Sequence, residues 1–425
     1  MRICLFEDHA VELLEPLSLT RPAFELLCGQ SSLAAKQCRY FAPCEAGVLI
    51  RPYLTECYRL MHPRTRVNDL KWLRSAPVVL VNARWLPPAT PLTDLPSPVV
   101  GMVGDEVAYA VVAPDRLLYC SENTIDECLL IWKRTLPHRQ AGGKLLSYLW
   151  EFVDANGDQL VNDFESTPFA VGAASPEHIA VVGSRHRLRV DPTAQVEPLV
   201  VADTANGPVV IDAEAKVSAF SRLEGPCYIG PGSHVLGAKI RAGTTIGPDC
   251  RIGGEVEASI IQGHSNKYHD GFLGHSYLGE WINLGAGTNN SDLRNDYGPV
   301  SVHVNGAVVN TGQRKVGCFM GDHTKTGLGT LLNTGSNVGV SCNLLPTGYL
   351  LPKFLPSFTT WWNGEWREVT DMNRVIETAR TVMQRRGRTL CEADERLFQA
   401  VYAKTSAIRE RARRDAEQRR LRRSA

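Results

Sequence analysis

Residues 211–235 read IDAEAKVSAFSRLEGPCYIGPGSHV, and an aliphatic side chain stands at every sixth place: Ile211, Val217, Leu223, Ile229 and Val235. After a one-residue slip Ile240, Ile246 and Ile252 keep the beat. Phe272, Leu278 and Leu284 resume it, and Met320, Thr326, Leu332, Val338, Leu344 and Leu350 carry it onward, often with glycine next in line. A period of six fits neither a helix nor an ordinary strand. It fits a chain wound into a triangular prism with one hexad per face, so a parallel β-helix is predicted. Each aliphatic residue points to the axis and the following glycine permits the corner. No coil buries its own core, so about seven or eight coils are expected to stack into a stiff, flat-sided rod. Flat sides favour packing against copies, and a homotrimer with clefts between neighbouring prisms is the expected assembly.

The chain has 425 residues, enough for two or three domains that each bury a core. A net charge of +1 gives no global attraction to nucleic acid or to an anionic membrane, and no specific nucleic-acid partner is expected. The 12 cysteines are scattered without a CxxC pair or a secretory pattern and read as reduced thiols of a cytoplasmic protein. No apolar run reaches the roughly 18 to 20 residues of a membrane span.

Residues 1–200 carry the pattern of a Rossmann-like α/β domain. Arg2-Ile3-Cys4-Leu5-Phe6 is a short apolar run ending in Glu7-Asp8, which suits a buried strand with a carboxylate at its tip. A helical pattern covers Ala23 to Lys36, and further strands are expected at Val78 to Val81 and Val107 to Val112. Strands alternating with helices imply a mostly parallel sheet with a crevice at its carboxyl edge. Neither glycine-rich phosphate signature occurs, so Arg21, between Thr20 and Pro22, is the candidate phosphate contact and Asp8 a candidate nucleotide or metal carboxylate.

The pattern loosens from Asp191 to Pro208, which places the boundary before a β-helical domain of 205–358. Two stretches break the hexads, and breaks in a solenoid tend to mark the working face. The first, Gln262 to Ser276, carries His264, Lys267, His269 and His275. The second, Asn289 to Gln313, holds Asn305-Gly306 between two alternating runs, the signal of a type I′ hairpin that would protrude from the prism. Past Leu355, Trp361, Trp362 and Trp366 are expected to close the open end. A helical tail of 359–425 breaks at Gly387 and restarts at Thr389 with Glu392 at capping-box spacing. Its last stretch, from Thr405, holds eight arginines against three acids and reads as a solvated face, with a polyanion contact as the alternative.

From Arg241 to Leu350 the sequence resembles the acetyltransferase half of the bifunctional N-acetylglucosamine-1-phosphate uridyltransferase and glucosamine-1-phosphate acetyltransferase. The residues that carry this are His275-Ser276-Tyr277-Leu278-Gly279-Glu280, Asn283-Leu284-Gly285-Ala286-Gly287-Thr288, Asp292-Leu293-Arg294, and Met320-Gly321-Asp322-His323-Thr324-Lys325-Thr326-Gly327. Pro16-Leu17-Ser18-Leu19-Thr20-Arg21-Pro22 resembles the divergent sugar nucleotidyltransferase domain joined to such a helix in some bacteria. The resemblance implies a left-handed β-helix, acetyl-CoA as cosubstrate and an amino sugar phosphate as acceptor.

Acetyl transfer to an amine needs a base that works near neutrality, which suits histidine. The resemblance gives His275 that role, or His269 if the residues between are an insertion. Tyr277, Asn283 and Asp292 fall at sugar-binding positions and Arg241 at the sugar-phosphate arginine. Coenzyme A would run along the coil edges from Lys325 to Pro346, held largely by main chain. There are departures: Asp292 replaces a usual asparagine, Ser259 replaces a lysine, and one face of a coil looks missing between Tyr277 and Asn283. In the amino-terminal half, nucleotidyl transfer from a nucleoside triphosphate would need Mg²⁺, with Asp8 or Asp163 as ligand, because Asn82-Ala83-Arg84 stands where an active relative commonly has Gly-Asp. The expected function is acetyl transfer, with possible nucleotidyl transfer to give UDP-N-acetylglucosamine or a similar sugar nucleotide. The alternative is a non-catalytic sugar-nucleotide-binding or scaffold protein.

Overall fold

The computed structural model describes residues 2–43, 45–92, 94–167, 177–346 and 348–424. The amino-terminal domain is built on a seven-stranded mixed sheet in the order His138–Gln140, Val99–Val103, Glu106–Val112, Val78–Asn82, Arg2–Phe6, Glu45–Leu49, Arg66–Val67. The last four run parallel, and Glu106–Val112 is antiparallel to both of its neighbours. Every residue of Val78–Asn82 is buried, as a central strand covered on both faces requires. The helical pattern expected over Ala23 to Lys36 resolves differently. A single 3-10 turn, Ala23–Glu25, leads into a hairpin of Leu27–Cys28 and Ser31–Ser32, and the helix runs Leu33–Phe41. The cause is local: Gly29 takes φ +80 in the turn, and Ser32 caps the helix by accepting from the amide of Ala35.

The β-helix begins earlier than expected, because Ala180–Val182 already pairs in parallel with Val201–Asp203. Its three faces are sheets of parallel strands. The first starts at Ala180–Val182 and runs for six strands to Phe272–Gly274. The second has nine, from Leu188–Val190 to Phe354–Leu355. The third runs for five strands from Gln195–Val196 to Asn266–Lys267 and continues through Asn283 to Lys325–Thr326. Asn283 bridges both Asn266 and Lys325, so no face of that coil is missing. The hexad residues from Ile211 to Ile252 are buried to 1% exposure or less. The phase slips at two later places: Leu273 rather than Phe272 enters the axis, and Leu351 rather than Leu350.

Gln262 to Ser276 is not a break but a regular coil. Lys267 occupies an inward position and stays there because its ammonium donates to the carbonyls of Gly253, His269 and Gly271. Burial brings Lys267 down to about 8. The second stretch is a true excursion. Its hairpin pairs Ser301–Val304 with Ala307–Asn310 about Asn305 and Gly306, both at positive φ. Rather than protruding it lies along the second face, with Val302 and Val304 buried, because alternation on one strand supplies an apolar side.

The second face is also where the α/β domain docks. Ile260, Tyr277 and Phe319 point outward from successive strands and join that domain's hydrophobic core, while Ile261, Leu278 and Met320 line the axis. Helix Leu149–Ser166 crosses this face, with Asn156 donating to Gly243 O and Thr245 Oγ1 and accepting from the Gly29 amide. At the far end Trp366 donates to Thr359 Oγ1 from the antiparallel strand Glu365–Glu368, which terminates the third face. Three helices follow, Met372–Gln384, Glu392–Lys404 and Ser406–Ser424. The capping residue of the second is Asp394, which accepts from the Cys391 amide, not Glu392. In the basic tail, Arg409 is buried and bonded to Glu368, so this residue at least anchors the helix rather than facing solvent.

Candidate active site

The corner between the first and second faces holds an imidazole. Gly243, Ala258 and His275 succeed one another there at positive φ, a conformation that aims the His275 ring away from the axis. Phe272–Gly274 fixes the chain before His275, and Tyr277–Glu280 fixes it after. The excursion starts and ends on the next coil. Its two limbs meet His275 directly: the Gly317 amide donates to His275 O, and Asp292 Oδ2 lies 2.8 Å from His275 Nδ1. Both side chains are largely buried, at 17% and 13% exposure.

Burial alone would raise the Asp292 carboxyl, but the hydrogen bond and charge of His275, together with Lys315, hold it below the ordinary value. An ionised carboxylate only accepts, so Nδ1 donates to it and the lone pair rests on Nε2, which is the form a general base needs. Asp292 thus fixes the orientation of the His275 imidazole. An acid in this position fixes one tautomer and would steady an imidazolium formed on proton uptake. Gly274 makes room for the pair, since a Cβ there would stand 2.6 Å from Asp292 Oδ2.

Charged groups collect around this corner. Lys315 Nζ lies 3.3 Å from Glu257 Oε1, and Glu257 pairs in register with Gly274. Arg241 continues the column one coil further down, roughly 10 Å from the Gly274 level at ~4.8 Å per strand, with Nε bonded to Glu255 Oε1 at 2.6 Å. At 45% exposure its guanidinium is partly open to solvent beyond that bond.

Other residues expected at the site go elsewhere. Tyr277 is fully buried; its hydroxyl donates to Leu27 O and Gln262 Oε1, so it fastens the two domains and touches no open groove. Asn283 is exposed on the third face and accepts from Asn266, away from the His275 corner of its own chain. His269 is exposed at the opposite corner of its coil, edge-on to Tyr268, without a carboxylate partner among the described residues. Lys325 lies on the third face with Nζ donating to His323 O, and burial brings it down to about 8. Pro346 packs over Gly327 in the same column.

In the α/β domain the expected phosphate and metal residues are occupied by protein partners. Arg21 is buried, with Nη2 2.5 Å from Asp322 and 3.3 Å from Glu280, both on the β-helix. Asp8 receives Arg84 through Nε and Nη2, at 2.9 and 2.7 Å, and Asn82 at 2.8 Å. Asp163 is taken up by Lys36 at 2.5 Å and Arg39 at 2.7 Å. A cation already neutralises each carboxylate. With Asp8 bound to Arg84 and Asp163 to Lys36 and Arg39, both acids proposed as Mg²⁺ ligands are already engaged by cations, and a divalent ion would have to displace them. Sequence reasoning missed these latches because an acid at a strand tip and an arginine two residues past another strand carry no local sign that they will meet.

Residues 3–168 match the sugar nucleotidyl transferase family. A bifunctional sugar-1-phosphate nucleotidylyltransferase/acetyltransferase of Sulfurisphaera tokodaii is 34% identical over 148 residues, 33% of this chain and 36% of that protein. The bifunctional protein GlmU of Methanocaldococcus jannaschii is 39% identical over 88 residues, 21% of each chain. The uncharacterized acetyltransferase YaiX of Escherichia coli O6:K15:H31 is 28% identical over 168 residues, 39% of this chain and 73% of that protein. The matched region thus spans about a third of the first relative's length and about a fifth of the second's. No helix among the described residues is long and apolar enough to cross a membrane.

Proposed function

Since the chain is related to the bifunctional sugar-1-phosphate nucleotidylyltransferase/acetyltransferases, we propose that it transfers an acetyl group from acetyl-CoA to the amine of an amino sugar phosphate at the His275 corner. The observation that carries this reading is the 2.8 Å contact of His275 Nδ1 with Asp292. Nε2 takes a proton from the amine as nitrogen bonds to the thioester carbon; the C–S bond then breaks and the proton passes to the departing thiolate. Arg241 holds the sugar phosphate. Coenzyme A lies along the edge from Lys325 to Pro346 of an adjoining prism in a homotrimer, which brings Asn283 and the third face to the base. Such an assembly uses the first and third faces, because the second is covered by the chain's own domain. The test is thiol release from acetyl-CoA with glucosamine 1-phosphate. His275→Ala lowers it about 10²-fold or more, His269→Ala does not, and equal rates in all three proteins would remove the assignment.

A second reading applies to the α/β domain. Asp8, Asp163 and Arg21 are committed to Arg84, Lys36 with Arg39, and Asp322, which favours a sugar-nucleotide-binding or scaffolding role over nucleotidyl transfer. Calorimetry with UDP-N-acetylglucosamine, alongside a pyrophosphate-release assay with nucleoside triphosphates, separates the two: binding without pyrophosphate supports this reading, and magnesium-dependent pyrophosphate release defeats it.

A further inference from the structure

Helix Leu149–Ser166 descends the coils as it crosses them. Trp150 lies 6.3 Å from the ring of Phe319, Phe152 lies 6.1 Å from Tyr277, and Leu160 packs lower down with Val210 and Tyr228. Gly157 faces Gly243, where an added Cβ would meet Gly243 Cα at 4.0 Å. Gly243 belongs to the same corner column as Ala258 and His275. Three residues of helix rise about 4.5 Å, close to the ~4.8 Å between coils. Asp154, three residues before Gly157, is therefore lifted about one coil from Gly243 toward His275. There Gln313, on the returning limb of the excursion, donates Nε2 to Asp154 Oδ2. The other carboxylate oxygen makes no hydrogen bond among the described residues, and Asp154 opens to solvent.

We propose that Asp154, a residue of the α/β domain, determines specificity at the acyl-transfer site by receiving the N–H groups of the acceptor amine on its free oxygen. This rests on the acetyl-transfer reading and narrows it: the acceptor is chosen as an amine rather than an alcohol, by a group outside the β-helix. Near neutrality an amino sugar carries much of its nitrogen as ammonium, which a carboxylate attracts and a carbonyl or amide holds less well. Asp154 takes no net proton. The bound ammonium first gives one proton to solvent, which exposes the lone pair; Asp154 then holds the neutral amine between itself and His275, which removes the second proton as the C–N bond forms. The surroundings agree with a carboxylate that feels the imidazole: partial burial raises Asp154, while the Gln313 bond and then the charge of His275 act to lower it. The same contact makes the first domain a component of the second domain's site.

The test compares the full-length wild type with Asp154→Asn and Asp154→Glu. Three quantities are read: KM for glucosamine 1-phosphate, KM for acetyl-CoA, and the inhibition constant of glucose 1-phosphate, which replaces the amine by hydroxyl. The wild type is expected to favour the amine about 10-fold or more, the worth of one charged hydrogen bond, and Asp154→Asn to lose that preference with KM for acetyl-CoA unchanged. Asp154→Glu recovers part of it, which a merely structural role would not produce. Thermal unfolding checks that the variants fold. Turnover in which the amine-over-hydroxyl preference survives Asp154→Asn overturns this inference alone. A wild type that transfers acetyl to no amine overturns the reading beneath it as well.

Discussion

Arg21 reaches Asp322 across 301 residues of chain, Nη2 to Oδ2 at 2.5 Å, with both side chains less than a tenth exposed. The contact joins a Thr-Arg-Pro turn of the α/β domain to a corner of the β-helix, and Thr20 Oγ1 donates to the same carboxylate at 2.7 Å. Removing the acid takes away the nearer counter-charge of a buried guanidinium and leaves it Glu280 at 3.3 Å. Asp322→Ala is therefore expected to lower unfolding free energy by about 3–5 kcal/mol, read by denaturant titration, and to loosen the domain junction to proteolysis. A loss under about 1 kcal/mol, the range of an exposed pair, would mean that the bridge is solvated.

The His275–Asp292 pair gives a pH signature. Asp292 is held below its ordinary value of 3.8 in the folded protein, so the stability it contributes is present in full above that value and is lost as pH falls through the lower folded value. The difference in unfolding free energy between wild type and Asp292→Asn should shrink as pH falls below about 4. In turnover the same variant should lose about 10²-fold in kcat, with KM for acetyl-CoA retained. A difference that grows with acid would contradict the pairing.

Gly274→Ala probes the same pair sterically. The new methyl would lie 2.6 Å from Asp292 Oδ2 and 2.5 Å from Phe272 Cζ, so Asp292 must move. Overpacking should cost about 1–3 kcal/mol in stability, and activity should fall as far as in Asp292→Asn. A variant that keeps wild-type kcat would show that the carboxylate is not needed where it stands.

Tyr277→Phe separates the two roles assigned to that phenol. Its hydroxyl bonds Leu27 O and Gln262 Oε1 in a buried seam, so its loss should destabilise the protein by about 1–3 kcal/mol while KM for the amino sugar stays as it was. A raised KM with unchanged stability would return Tyr277 to the sugar.

The rod was legible because one inward residue per hexad is a purely local requirement. Ile211 through Ile252 obey it, and the phase failed only where Phe272 and Leu350 precede the true inward residues Leu273 and Leu351. Lys267 hid a regular coil, since its partners are carbonyls that no sequence displays. The hairpin was legible from Asn305-Gly306, but its resting place on the second face was not, because that depends on where the first domain docks: Val302 and Val304 join that domain's core. Around His275 the motif singled out the histidine proposed as the base. The identity of its partner, the diversion of Tyr277 and the arrival of Asp154 all arise from contacts between segments far apart in sequence, which spacing does not encode.

Rods of stacked coils ordinarily fray from their tips, each turn answering only to its two neighbours. Here Asn156 grips Gly243, Tyr277 grips Leu27 and Arg21 grips Asp322, three staples driven at successive heights into one side of the rod. Progressive unravelling should thereby be blocked, and the coils between Gly243 and Asp322 are expected to melt together with the sheet they are fastened to, as one cooperative body rather than as a ladder losing rungs.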